Sequence, residues 1–260
     1  MDTPEVRIYD IMACDVYWDF AGSLPREQHK FLVSLYPTPG AKAPDLIERI
    51  TARGPDGYQV EFVNQEFHRG NLNGWIYDRT VDAYWYMVNL ATGFLAPGEY
   101  TIEIEGRDGR LVSASRVQDG ERSAALVASY LTHREVLARS FFPSRVTPAL
   151  AKGVSLDRIV AGQRTLKELD GTDAYYIHRL AECSTPAGFD TQNLVWWDNI
   201  FVQRDVGGNR WAGLNRGKVT IRAELAAGRD YGYFVEITDA NAQNETNICV
   251  FQPHQFFRTP

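Results

Sequence analysis

Five histidines are the residues in this chain best suited to move a proton near neutral pH: His29, His68, His133, His178 and His254. No two stand at a spacing that lets them share a metal, since neither H-x-H nor H-E-x-x-H occurs, and no metal is expected. His68, in Glu66-Phe67-His68-Arg69-Gly70, precedes Asp78 and Asp82. Gathered in space, these would make a His–carboxylate set for general acid–base chemistry; a solvated loop explains the same residues. His178 follows Tyr176 by two positions in an alternating run and shares its face, as a base beside a phenol or as a satisfied core imidazole. Asp239, Asn241 and Glu245 offer oxygens to calcium, but without EF-hand spacing or a glycine at the bend, so a polar hairpin tip is expected. The nucleophile motif G-x-S-x-G and Gly-rich phosphate loops are missing, and no cofactor is expected.

Aromatic residues form 12% of the chain, and their placement poses a sharper question than the histidines do. Adjacent Trp196 and Trp197 on a strand must point to opposite faces, so one enters a core while the other looks outward. Tyr84-Trp85-Tyr86 poses the same choice: burial of Trp85 would put Tyr84 and Tyr86 outside. With Trp75 and Trp211, these make a candidate ligand surface of Trp75, Tyr84, Tyr86, Trp196, Trp197 and Trp211. Amphipathic rings near Asp, Asn and Arg suit sugars or small aromatic ligands. Packing between domains is the alternative use of the same rings.

The bulk properties exclude several classes. The formal charge of -6 and the lack of any Lys/Arg run argue against nucleic acid and against anionic membrane surfaces. No apolar stretch approaches the roughly 20 residues of a membrane span. The start, Met1-Asp2-Thr3-Pro4-Glu5, has neither a basic nor an apolar leader region, so a cytoplasmic protein is expected, a trimmed secreted chain being the alternative. Three cysteines, Cys14, Cys183 and Cys249, cannot all pair within the chain. Reduced thiols fit best, with a Cys183–Cys249 bridge as the other option.

Strand signals dominate the elements that must carry these residues. Residues 101–105 alternate cleanly as Thr-Ile-Glu-Ile-Glu and close on Asp108-Gly109, a hairpin cue. Residues 58–62, 175–180, 219–225 and 231–237 read the same way, and 6–18, 31–36, 194–202 and 248–251 are rich in strand formers. Residues 121–139 contain no Gly or Pro and bring Leu126, Val127, Leu131, Arg134 and Ala138 near one helical face; helix and second hairpin strand both remain open there. The fold class expected is all-β: a sandwich module over 1–118, a linker, helical in one reading, over 119–148, and a second sandwich over 149–260.

Two corners repeat. Leu95-Ala96-Pro97-Gly98-Glu99-Tyr100 and Leu225-Ala226-Ala227-Gly228-Arg229-Asp230-Tyr231 each end a strand, turn on a glycine and start a new strand with Tyr. Both resemble the corner of the fibronectin type III and immunoglobulin-like superfamily, in which the Tyr hydroxyl bonds back to the nearby backbone. The second keeps the family's spacing, with Ala227 where Pro is usual; the first is one residue shorter. Residues 170–177 also resemble the family's passage from its second to its third strand, although Leu166-Lys167-Glu168 stands where a buried Trp is usual. The resemblance implies adhesion, ligand binding or scaffolding more often than catalysis, on a fold that hosts many functions.

Two functions follow. One is a non-catalytic binding protein presenting aromatic and polar surface to a carbohydrate, a small molecule or a protein. The other is a lyase-, isomerase- or cyclase-type enzyme with a pocket at the inter-domain cleft, using His178 or His68 with a carboxylate or Tyr. Exposed sheet edges also suggest a homodimer.

Overall fold

The hydroxyl of Tyr100 donates to the carbonyl of Ala96 at 3.0 Å, and the hydroxyl of Tyr231 accepts from the amide of Ala226 at 2.9 Å. Both are corner bonds of the kind the sequence motif implies, made with opposite polarity. They were located in a computed structural model that describes residues 5–19, 25–67, 73–78, 82–145, 150, 155–189, 194–198, 214–239 and 246–260. The chain divides into two units, Met1–Val16 with Leu24–Ser123 and Glu245–Asn247, and Tyr17–Ser23 with Ala124–Asn244 and Ile248–Pro260.

The first unit holds β1 (Val6–Trp18, whose last two residues belong to the second unit), β2 (Glu27–Pro37), a one-turn helix α1 (Ala43–Leu46), β3 (Ile47–Arg53) and β4 (Gln59–Glu61). It continues with β5 (Gly74–Asp78), β6 (Ala83–Leu90), β7 (Gly98–Gly106) and β8 (Leu111–Gln118). The strands order as β1-β2-β6-β5 in one layer and β4-β3-β7-β8 in the other. Written A to G along the chain, with β4 as the extra C′, these are the ABED and CFG sheets of an immunoglobulin-like sandwich. Alternation builds its core: Ile102 and Ile104 of β7 point inward with Ile50 and Ala52 of β3, against Phe31, Val33, Tyr84 and Tyr86 of the other layer. Tyr100 lies in this core, and Gly54 is required beside it, because a Cβ there would sit 2.1 Å from the phenol ring.

The helix α2 (Gly120–Ser140) settles the open reading of residues 121–139, and the boundary between the units falls within it, after Ser123. Asp119 accepts from the amides of Glu121 and Arg122 and so caps its start. Its buried face in the second unit is Leu126, Val127, Tyr130 and Leu137, while Leu131 is exposed. Leu126 and Val127 turn inward as expected, but Tyr130 and Leu137 take the places expected of Leu131 and Ala138. Tyr130 buries its large ring while its hydroxyl donates to Asp19 at 2.6 Å, with Arg134 3.4 Å from the same carboxylate.

The second unit holds β9 (Ile159–Gly162), α3 (Leu166–Asp170), β10 (Tyr175–Ala181), β11 (Leu194–Asp198), β12 (Lys218–Ile221), β13 (Asp230–Thr238), β14 (Ile248–Phe251) and β15 (Gln255–Arg258). One layer is β11-β10-β13-β14, with β15 also on β13; the other is β9-β12. Residues 170–177, the end of α3 and the start of β10, close the longer passage that carries the chain from β9 in one layer to β10 in the other. Thr165 and Glu168 close a capping box at the start of α3, and Leu166 is buried where the resemblance would place Trp. The last strand is broken into β14 and β15 around Pro253, which has no N–H to give to a ladder. The side chain of Gln252 replaces it, donating Nε2–H to the Val235 carbonyl at 3.2 Å. None of the three cysteines forms a disulfide, so Cys183 and Cys249 are not bridged. No helix among the described residues is long and apolar enough to cross a membrane.

The corner bonds give a direct test. Tyr100→Phe and Tyr231→Phe should each cost about 1 kcal/mol in urea denaturation, the net worth of one hydrogen bond. Unchanged midpoints in both variants would show that ring packing alone holds the corners.

Candidate functional site

β10 has two faces. Tyr176, His178 and Leu180 point toward β9, β12 and α3: the Tyr176 hydroxyl accepts from the Leu166 amide at 2.8 Å, and His178 Nε2 lies 2.8 Å from the carbonyl of Arg216, just ahead of β12. Ile177 and Arg179 point the other way. The register sets Arg179 directly between Trp197 of β11 and Phe234 of β13. Its guanidinium carbon lies 5.5 Å from the Trp197 ring and 5.3 Å from the Phe234 ring, both within cation–π range.

This row extends across the unit. Phe234 neighbours Phe251 of β14 at 6.1 Å, and Phe251 stacks on Trp18 at 4.3 Å and 16°. Phe189 and His254 close over Phe234 at 5.0 and 4.9 Å. Glu236, two residues beyond Phe234 and so on the same face, binds the Arg179 guanidinium at 2.5 Å. Only 2% of Glu236 is exposed, and its charge is matched inside the row itself. Trp197 is 43% exposed, with the Arg179 guanidinium within cation–π range of its indole. The result is an aromatic strip whose buried charges are paired and whose most exposed ring among the described residues is Trp197.

The two tryptophans of β11 divide as the pleat requires. Trp197 pairs with Arg179 on this strip, and Trp196 pairs with Leu180 on the opposite face. Tyr84 and Tyr86 are corrected from surface to core: β6 has the phase in which Trp85 points away and both tyrosines enter the sandwich. Tyr86 is fully buried and donates to Asn64 Oδ1 at 2.8 Å. Burial drives its hydroxyl far above the usual phenol range. Trp75 of β5 packs on the same core, 5.7 Å from the Tyr84 ring. His68 and Trp211 lie outside the described residues, as do Asn241 and Glu245; Asp239 accepts from the Ile248 amide at 3.0 Å.

His178 is sealed. Its Nε2 faces a carbonyl and must carry the proton, so Nδ1 accepts the hydroxyl of Tyr233. No part of it is exposed, and burial pulls its pKa down to about 4. The imidazole holds the second layer to the first; it offers no lone pair to a substrate. A set that sequence reasoning missed is Ser129, His133 and Asp170. Ser129 Oγ donates to Asp170 Oδ2 at 2.7 Å, and His133 Nε2 lies 3.2 Å from the same oxygen. Both groups turn to the acid, so the serine is not aimed at the imidazole, and the trio ties α2 to the end of α3 rather than building a nucleophile. The i, i+4 spacing of Ser129 and His133 was readable, but their common partner depends on tertiary packing.

No family model matches this chain, and no curated protein does. Solved structures that share something of its shape include fibronectin(III)-like modules of CbhA from Clostridium thermocellum, at 9% identity and a TM-score of 0.20, over 96% of this chain and 94% of that one. A DUF3823 family protein from Bacteroides uniformis matches at 14% identity and 0.26, over 96% and 99%. Dimeric latent PorU from Porphyromonas gingivalis matches at 9% and 0.24, over 96% of this chain and 20% of that one. At these scores the superpositions carry no argument; the immunoglobulin-like β-sandwich is established by the strand order and the two tyrosine corners.

Buried histidines make stability depend on pH. His178 and His254 both have folded pKa values of about 4, lowered chiefly by burial, against 6.5 when free. Their contribution is therefore complete above pH 6.5 and is lost as pH falls from there toward 4, because the unfolded chain takes up the protons first. Unfolding free energy should drop by roughly 3 kcal/mol for the fully buried His178 across that window, and by less for His254, which solvent partly reaches. His178→Gln should flatten the slope; an equally steep profile in that variant would assign the dependence elsewhere.

Proposed function

We propose that the protein is a non-catalytic binding module that takes a carbohydrate on the aromatic strip of its second unit. The observation that carries this reading is the exposed Trp197 indole, in cation–π range of an Arg179 whose charge is paired with Glu236. A flat apolar ring face with no net charge beneath it matches the C–H face of an uncharged sugar ring, and the polar edges of the indole and guanidinium suit its hydroxyls. Preorganisation helps, since neither Trp197 nor Arg179 has to be ordered when the ligand arrives. The fold itself is neutral on the question.

Glycan-array screening followed by titration calorimetry tests the proposal. A neutral oligosaccharide should bind, and Trp197→Ala should weaken it about tenfold or more, in line with loss of one aromatic anchor, without moving the unfolding midpoint by more than a few degrees. Binding that is indifferent to Trp197→Ala, or that selects an aromatic metabolite or a protein over every glycan, would overturn the carbohydrate reading.

A further inference from the structure

Edge strands in this molecule are mostly short or covered. β4 has three residues. β5 is bridged by residues 65–67, through Trp75 N–H to the Gln65 carbonyl and Phe67 N–H to the Trp75 carbonyl, both at 2.8 Å. β8 differs. It is eight residues long and pairs with β7 without a register shift, and no strand forms a ladder on its far side among the described residues; β1 is reached by side chains, Arg110 to Glu5 just before it and Arg116 to Asp10 and the Ile11 carbonyl.

Natural sheets blunt such an edge with proline, a bulge or a charge, which can stand on the outward or the inward row. β8 has no proline and no bulge, and its outward row is Leu111, Ser113, Ser115 and Val117, with no charge in it. Leu111 is 61% exposed and Val117 65%. The one charged residue, Arg116, is on the inward row and is engaged by Asp10 at 2.9 Å.

The outward row reads nearly the same in both directions. We infer that β8 pairs antiparallel with β8 of a second copy of this chain, on a twofold axis through Ala114. In that register Leu111 meets Val117 of the other copy, Ser113 meets Ser115, and Ala114 meets Ala114. Apolar ends then cover each other, hydroxyls face hydroxyls, and no like charges are opposed; directly opposite side chains are the unit of sheet stabilisation. A slip of one residue would set outward against inward rows and lose every match. The contact area of one strand pair is small, so the dimer is a concentration-dependent one. It uses the first unit and is independent of the sugar-binding reading.

Analytical ultracentrifugation over a concentration series tests this on the full chain. The wild type should shift from one-chain to two-chain mass as concentration rises. Ser113→Lys with Ser115→Lys opposes like charges across the axis and should weaken association about tenfold or more. Ser113→Lys with Ser115→Glu opposes unlike charges in this register alone and should keep the dimer, now sensitive to salt. Far-ultraviolet dichroism and the melting midpoint confirm that both variants fold. A one-chain mass at every concentration would overturn the inference, and so would a dimer equally strong in both charge variants.

Discussion

Glu236 is a carboxylate in the middle of a sheet with almost no access to water, and Arg179 is what makes that tolerable. An unpaired charge there would cost several kcal/mol. The pair costs far less, because the guanidinium brings both its charge and its hydrogen bond to within 2.5 Å. Meeting that constraint fixes the rest of the face. Arg179 is held in the row by Glu236, so the side chains opposite it on β11 and β13 are best ones whose ring faces attract a cation. Trp197 and Phe234 meet that condition, and Phe251 and Trp18 continue the apolar surface.

The same logic recurs in both units with different residues. In the first, His29 bridges the Gly93 carbonyl and the Tyr58 hydroxyl, at 2.6 Å each, and Tyr58 packs edge-on to Tyr100 of the corner. In the second, His178 bridges the Arg216 carbonyl and the Tyr233 hydroxyl. A neutral imidazole serves well here, since one nitrogen donates while the other accepts. Each buried loop carbonyl is satisfied without importing a charge. These histidines belong to the architecture, and the carbohydrate reading draws instead on surface aromatics.

Much of the fold was legible in the chain. The corners could be read because Leu stands three residues before Gly in both and a Tyr follows the Gly by two or three, and β7 because Ile102 and Ile104 alternate with polar residues. The strand β15 beyond Pro253 was not read, although the missing N–H of that proline explains the break. The phase of β6 was not legible: Tyr84, Trp85 and Tyr86 are all large and aromatic, so hydrophobicity does not say which parity turns inward. Only pairing with β2, where Val33 sits opposite Tyr86, decides it. The candidate site was half legible. Opposed Trp196 and Trp197 follow from the pleat, but nothing near Arg179 in the sequence points to Glu236, which is brought to it by the register of β10 on β13.

A double-mutant cycle on Arg179 and Glu236 tests this account most directly. Arg179→Met and Glu236→Leu, measured singly by chemical denaturation, should each cost about 3 kcal/mol or more by stranding a buried charge or breaking the row. The double variant should regain most of that loss, giving a coupling of about 2 kcal/mol or more. Additive losses, with no recovery in the double variant, would contradict the claim that this pair organises the aromatic face.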